Sequence, residues 1–209
     1  MALITAEDYL DRLKRYPENI YMKGKLIKRD DPLLSPGIHV IQETFRVAQD
    51  PELKSAVVTR SHLTGEEISR YTHVNRSVDD LLNKQSMTRR VCHRVGGCIQ
   101  RCMGTDTINA IGVVTKEIDD AKGTDYHERF LTYLEHYQKN DLVGNAAQTD
   151  AKGDRSKRPG GQPDPDLYVH VVKKTKDGII VRGAKVNNSM GPYSDEFLVL
   201  LVLMIRESV

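Results

Sequence analysis

Apolar side chains recur every three or four residues through much of the first two thirds of this chain, and nearer its end they alternate with polar ones. The first pattern belongs to amphipathic helices and the second to half-buried strands. Leu10, Leu13 and Tyr16 predict a helix over residues 5–16, with Thr5 as N-cap and Asp8 three residues on, the spacing of a capping box. Ile20 to Ile27 alternates around Gly24 and predicts a small hairpin. A helix is expected from Ile38 to Ala48, after Ser35-Pro-Gly. Ser77 opens the next one with Asp79 and Asp80 in its first turn, where acidic groups suit the helix dipole. That helix carries Leu81, Leu82 and Met87 toward Cys92, and Gly96-Gly97 is expected to bend or divide it. Two more helices are predicted, over Thr105–Ile118 and Tyr126–Tyr137. In the second, Phe130, Tyr133, Leu134 and Tyr137 form a core face.

The pattern changes after Leu142. Gln148 to Pro165 is polar, charged and rich in turn formers. Leu167–Lys174 and Gly178–Lys185 read as strands joined through Lys176-Asp177-Gly178, and Phe197–Ile205 as a third, strongly apolar strand. The fold class expected is therefore α+β: an N-terminal helical domain with a small hairpin over residues 1–145, then an incomplete β domain over 146–209. Three strands cannot close a barrel, and so apolar a final strand needs a neighbour. The chain is expected to be unfinished, and to self-associate through that strand.

Charge and composition narrow the class of protein. With 31 basic and 29 acidic residues the net charge is +2, so the chain has no global footprint for nucleic acid or a membrane surface. The N-terminus lacks the basic and long apolar regions of a signal peptide. The apolar run near the end is shorter than the roughly 20 residues a bilayer span requires. An odd count of three cysteines argues against a secreted disulfide scaffold, so a reducing, cytoplasmic location is expected.

Cys98 and Cys102 are the sharpest chemical feature. Read as part of a helix, residues four apart lie on one face, where two thiolates can bind two corners of one metal cluster. The same arrangement is poor for a disulfide. Gly96 and Gly97 leave room for something bulky beside the backbone. The plain alternative is two small buried hydrophobes. Cys92 falls on a different helical face, and the chain has no Cys-x2-Cys of the zinc-ribbon or ferredoxin kind. The loop from Gln148 to Arg158 also has two readings. It is a solvated linker, or a phosphate-binding loop in which Gly153 frees the backbone while Lys152, Arg155, Lys157 and Arg158 supply cationic donors. Its glycine spacing is neither that of a P-loop nor that of a Rossmann turn.

Four segments in series carry a family resemblance: Gly96–Asp106, Gln148–Ser156, Val181–Lys185 and Gly191–Phe197. Together they resemble the 4-hydroxybutyryl-CoA dehydratase / vinylacetyl-CoA isomerase branch of the 4-hydroxyphenylacetate 3-hydroxylase superfamily. The resemblance implies an acyl-CoA-dehydrogenase-like fold of helical, β and helical domains, FAD and a [4Fe–4S] cluster as cofactors, an acyl-CoA substrate and a homotetramer. It makes Cys98 and Cys102 two cluster ligands, places Gln100 in the active site and puts Arg89 close by. It assigns the loop residues Gln148, Thr149, Asp150, Lys152, Gly153, Asp154 and Arg155 to FAD, and Ser189 to the reactive part of the flavin. The chemistry is sensible for this substrate: the C3 proton of a saturated thioester is barely acidic until one electron and the C2 proton have been removed. A flavin suits the electron, and a cluster iron suits the departing hydroxyl. The family's remaining ligands, a histidine and a third cysteine, belong to a C-terminal half that this chain lacks. The expectation is thus an N-terminal portion, inactive alone, that partners with the C-terminal half.

Two other readings remain open. A reduced-flavin aromatic monooxygenase would use the same scaffold, but where that branch places phenol-binding arginine, tyrosine and histidine this chain has Met103, Thr107 and Ala146. A non-catalytic redox or partner-binding module would use Cys92, Cys98 and Cys102 as thiols whose pKa is depressed by Arg89, Arg90, His93, Arg94 and Arg101.

Overall fold

The computed structural model describes residues 3–200, which divide into two compact units. The first runs to Asn145 and takes back Met190–Glu196; the second comprises Ala146–Ser189 and the chain from Phe197 onward.

In the first unit, α1 (Ala6–Lys14) begins at Thr5, whose hydroxyl accepts from the Asp8 N–H while the Asp8 carboxylate accepts from the Thr5 N–H. The expected capping box is formed. The hairpin of β1 (Ile20–Met22) and β2 (Lys25–Ile27) turns through Lys23 and Gly24, both at positive φ as a two-residue turn requires. Asp31 caps a 3-10 turn over Pro32–Leu34 that runs directly into α2 (Ser35–Arg46), so this helix starts earlier than its apolar pattern suggested. Next come α3 (Lys54–Val57) and a hairpin of β3 (Val58–Arg60) and β4 (Glu67–Ser69). This second hairpin is not among the elements expected from the sequence. Three longer helices complete the unit: α4 (Val78–Val95), capped by the Ser77 hydroxyl, α5 (Cys102–Lys122) and α6 (Tyr126–Lys139).

Two apolar clusters hold this unit. In one, Ala6, Tyr9 and Leu13 of α1 pack on Ile38, Ile41 and Phe45 of α2, with Tyr9 and Phe45 stacked at 5.1 Å between centroids. In the other, Met87 and Val91 of α4 meet Val57, Tyr71 and Ile99. Leu81 and Leu82 depart from expectation: they are apolar and lie on α4, yet both are exposed. The Gly191–Phe197 segment explains itself in part here. Asp195 accepts hydrogen bonds from Arg12 (2.7 Å), Tyr16 (3.0 Å) and the Val143 N–H (2.8 Å). Tyr9 donates to the Tyr193 carbonyl at 2.7 Å, and Arg29 to that of Ser194 at 2.8 Å. These bonds tie the returning chain to α1 and to Tyr16, Arg29 and Val143.

The second unit contains an antiparallel hairpin of β6 (His170–Thr175) and β7 (Gly178–Arg182), with a bulge between Val171 and Lys173. The strands are shorter than their apolar runs. β5 (Gly144–Ala147) pairs with β8 (Glu196–Val199), so the described part of the third expected strand pairs with β5 and not with the hairpin. The rest of that expected strand, residues 201–205, lies outside the described residues. No described helix is long and apolar enough to cross a membrane.

Candidate functional site

α4 stops where Gly96 adopts the left-handed conformation (φ +70°) and its N–H bonds the Cys92 carbonyl. Residues 96–101 form an irregular connection and α5 starts at Cys102. The expected helical pair is thereby corrected: Cys98 lies in the connection and Cys102 is the first residue of a new helix, so the shared-face argument does not apply. The reason is the double glycine, which ends a helix without a Cβ penalty.

Burial alternates along this connection. Cys98 is exposed, Ile99 buried, Gln100 half-buried, Arg101 buried and Cys102 half-buried. Gln100 is left-handed with φ +54°, a conformation that a residue with a Cβ adopts only when its surroundings impose it. Ile99 sits in the second apolar cluster. The Arg101 guanidinium is 2.6 Å from Asp141 Oδ1 and 2.9 Å from Thr44 Oγ1, and lies 4.3 Å and 5.0 Å from the ring centroids of Phe45 and Tyr71.

Arg89 is exposed on α4, and it shares a cleft of roughly 680 Å³ with Cys102. Leu81, Leu82 and the ion pair Lys84–Asp106 also line this cleft, whereas Cys98 and Gln100 do not. Burial pushes the Cys102 thiol above its ordinary value, and the neighbouring Cys98 and Asp106 push in the same direction against Lys84. An activated, low-pKa thiol at Cys102 therefore finds no support. Burial also raises the Tyr71 phenol, which feels all three cysteines and whose hydroxyl is buried with no hydrogen-bond partner among the described residues.

Two thiols do not make a closed metal site. Among the described residues no three His, Cys, Asp or Glu side chains converge to hold a metal ion. A [4Fe–4S] cluster has four corners to satisfy, so Cys98 and Cys102 alone do not fit it.

The second unit carries the cationic loop. Lys185 Nζ pairs with Asp150 Oδ1 at 2.5 Å and also donates to the Gln148 carbonyl at 3.1 Å, while the Thr149 carbonyl accepts from the Val186 N–H at 2.9 Å. Gln162 accepts from the Asp154 N–H (2.9 Å) and donates to the Asp154 (2.8 Å) and Lys157 (3.2 Å) carbonyls. The Ser156 hydroxyl and N–H hold the Asp154 carboxyl below the usual range. A Cβ on Gly153 would lie 2.4 Å from Gln162 Oε1, so this glycine serves the loop's own packing. Gln148, Thr149, Lys152 and Arg155 are exposed, and among the described residues neither Lys152 nor Arg155 forms an ion pair. With Arg158, likewise exposed and in no ion pair among the described residues, this leaves three cations and a pre-shaped backbone for an anionic group, the chemistry that a flavin's phosphates require. Ser189 is exposed, and among the described residues no side-chain hydrogen bond joins it to this loop.

Three structural residues escaped the sequence reading of the sites. Lys185 had a signal, since it ends the Val181–Lys185 segment. Arg101 was visible only as one basic residue among several, and nothing marked Gln162.

The mixed fold with its cysteine-bearing turn places the chain in a class. Residues 5–208 match the 4-hydroxyphenylacetate 3-hydroxylase N-terminal family, and the chain belongs to that family. Within it, the chain is 39% identical over 208 residues to the 4-hydroxybutyryl-CoA dehydratase/vinylacetyl-CoA-Δ-isomerase of Clostridium aminobutyricum, covering 99% of this chain and 42% of that protein. The solved oxygen-tolerant archaeal 4-hydroxybutyryl-CoA dehydratase of N. maritimus superposes with a TM-score of 0.90 at 34% identity, over 96% of this chain and 40% of that one. The oxygenase component of 4-hydroxyphenylacetate 3-monooxygenase, solved with FAD, shares the fold with a TM-score of 0.77 at 24% identity, over 97% and 42% of the two chains. The chain thus spans about two fifths of the length of these relatives.

Proposed function

We propose that this chain is the N-terminal part of a flavin- and [4Fe–4S]-dependent 4-hydroxybutyryl-CoA dehydratase / vinylacetyl-CoA isomerase, inactive without the C-terminal half. The observation that carries the reading is the turn in which Cys98 and Cys102 flank Gln100, with Arg89 sharing the Cys102 cleft, in a chain whose fold matches a dehydratase at TM-score 0.90. Cys98 and Cys102 would hold two corners of the cluster, and the remaining ligands would come from the C-terminal half. Residues 148–155, with Lys152 and Arg155 outermost, would receive FAD. Bound there, the flavin would supply one-electron chemistry and a cluster iron Lewis acidity.

The chain's own residues would bind and orient the substrate. The Gln100 amide offers both a donor and an acceptor to the thioester or hydroxyl oxygen, and its fixed left-handed backbone reduces the cost of ordering it. Arg89 presents a permanent cation to the acyl-CoA from α4. An acyl-CoA-dehydrogenase-like architecture, a homotetramer and a cytoplasmic location belong to the same proposal, with no role for nucleic acid or membrane. The monooxygenase reading is weaker: the position expected to hold its phenol-binding tyrosine is Thr107, whose hydroxyl is committed to the Met103 carbonyl at 2.9 Å.

Anaerobic reconstitution with ferrous iron and sulfide tests the proposal. The chain should retain iron and dehydrate 4-hydroxybutyryl-CoA only when supplied with the C-terminal segment of the Clostridium relative. Cys98→Ser and Cys102→Ser should each abolish iron retention. If both variants kept iron and activity in the complemented enzyme, the proposal would be wrong.

A further inference from the structure

The connection between α4 and α5 carries Cys98 and Gln100 and leads directly into Cys102, the first residue of α5, yet it is irregular and contains a left-handed glutamine. Left-handed backbone is costly for a residue with a Cβ and persists only where the surroundings over-determine it. The residue that follows Gln100 meets that requirement. We propose that Arg101 is the positioning residue of this turn: its buried guanidinium fixes the backbone on which Cys98, Gln100 and Cys102 are presented.

Arg101 is 1% exposed and reaches three separate parts of the unit. Through Nη1 it donates to Thr44 Oγ1 of α2 at 2.9 Å. Through Nη2 it meets the link from α6 to β5, at Asp141 Oδ1 (2.6 Å), the Asp141 carbonyl (3.3 Å) and the Leu142 carbonyl (3.4 Å). Its Cζ lies over both the Phe45 and the Tyr71 ring, at 4.3 Å and 5.0 Å from the centroids. Asp141 is itself left-handed with φ +45° and buried, so the ion pair links the residue that follows the strained Gln100 to a second strained position. The pair has two possible roles. Charge balance for Asp141 needs only a cation, which lysine can supply. Fixing the turn needs the planar fork, which reaches Thr44 and the 141–142 carbonyls together and lies over two aromatic rings. The number and spread of the partners assign Arg101 to the second role. This placement stands on the geometry alone; its consequence for iron and substrate rests on the dehydratase reading.

Hydrogen–deuterium exchange and thiol alkylation on the full chain separate the two roles without cofactor or activity. In Arg101→Lys the charge is kept and the fork lost. Amides of residues 99–102 should then exchange at least about tenfold faster, and Cys98 and Cys102 should alkylate faster, while α1, α6 and the alkylation of Cys92 stay as in the parent chain. Thr44→Val removes a single fork contact and should give a smaller acceleration confined to the same turn. Unchanged exchange and alkylation at the turn in a folded Arg101→Lys would overturn the proposal. If that variant does not fold, the decision passes to Thr44→Val, and an unchanged turn there would overturn it equally. A failure of the dehydratase reading would instead appear in iron retention and leave these rates untouched.

Discussion

Asp195 shows how a short sequence motif acquires a structural meaning. Its side chain is 1% exposed and faces Arg12, Tyr16 and the Val143 N–H, so removing it strips three donors of their acceptor. Asp195→Ala should cost about 3 kcal/mol, the usual penalty for breaking a largely buried pair, read as a lower urea midpoint with unchanged slope. The Tyr16 phenol, pushed up to about 12 by burial and by Asp195, should fall toward its ordinary value in the same variant, as ultraviolet titration would show. His73 supplies a pH dependence. Burial lowers its pKa from 6.5, with Asp80 opposing and Arg70, His62 and Arg76 reinforcing; His62 is lowered too, mainly by burial. Both imidazoles are therefore more easily protonated in the unfolded chain. Their contribution to stability is complete above pH 6.5 and is lost as pH falls through the depressed folded values. The urea midpoint should drop from neutral pH toward pH 5, and His73→Gln should flatten part of that drop.

Helices were legible because their periods run for several turns and their caps are local. Thr5 with Asp8, Ser77 with Asp80, and Gly96 after α4 all form where the sequence places them. Their boundaries shifted by a few residues, as at α2, where a 3-10 turn precedes the helix. The cysteine-bearing connection reads as helix in the sequence but is not one; the double glycine, expected to bend or divide the helix, divides it. Close packing between elements was invisible. A Cβ on Gly104 of α5 would lie 2.5 Å from the Gly144 carbonyl oxygen, and backbone there cannot yield as a flexible side chain would. Gly104→Ala should cost about 1–3 kcal/mol through overpacking despite its better helix propensity, and thermal unfolding would register the loss.

At the scale of the whole molecule, burial left a surplus of apolar surface. On the first unit, Leu81, Leu82 and Val113 are 54%, 58% and 59% exposed, and Leu81 and Val113 line a second cleft of roughly 650 Å³. On the second, Ile179, Ile180 and Val181 of β7 are exposed in succession. Apolar surface of this kind favours association. Sedimentation velocity should show concentration-dependent self-association of the isolated chain, weakened by Leu82→Glu; a monomer at all concentrations would contradict it.

The sequence by itself determined the long helices and several of their caps, the change of character after Leu142 and the membership of a family. Each of these is encoded over a few neighbouring residues: a period, a cap, a turn former, a run of residue types. Tertiary structure alone decided that Cys98 stands outside the helix begun by Cys102, that Met190–Glu196 returns to the first unit, and that Arg101, Gln162 and Lys185 organise the turn and the loop. Arg101 meets Asp141 across forty residues, and Lys185 meets Asp150 across thirty-five. Partners so far apart in the chain leave no local pattern; they are brought together only when the chain buries them, and burial is what makes their pairing necessary.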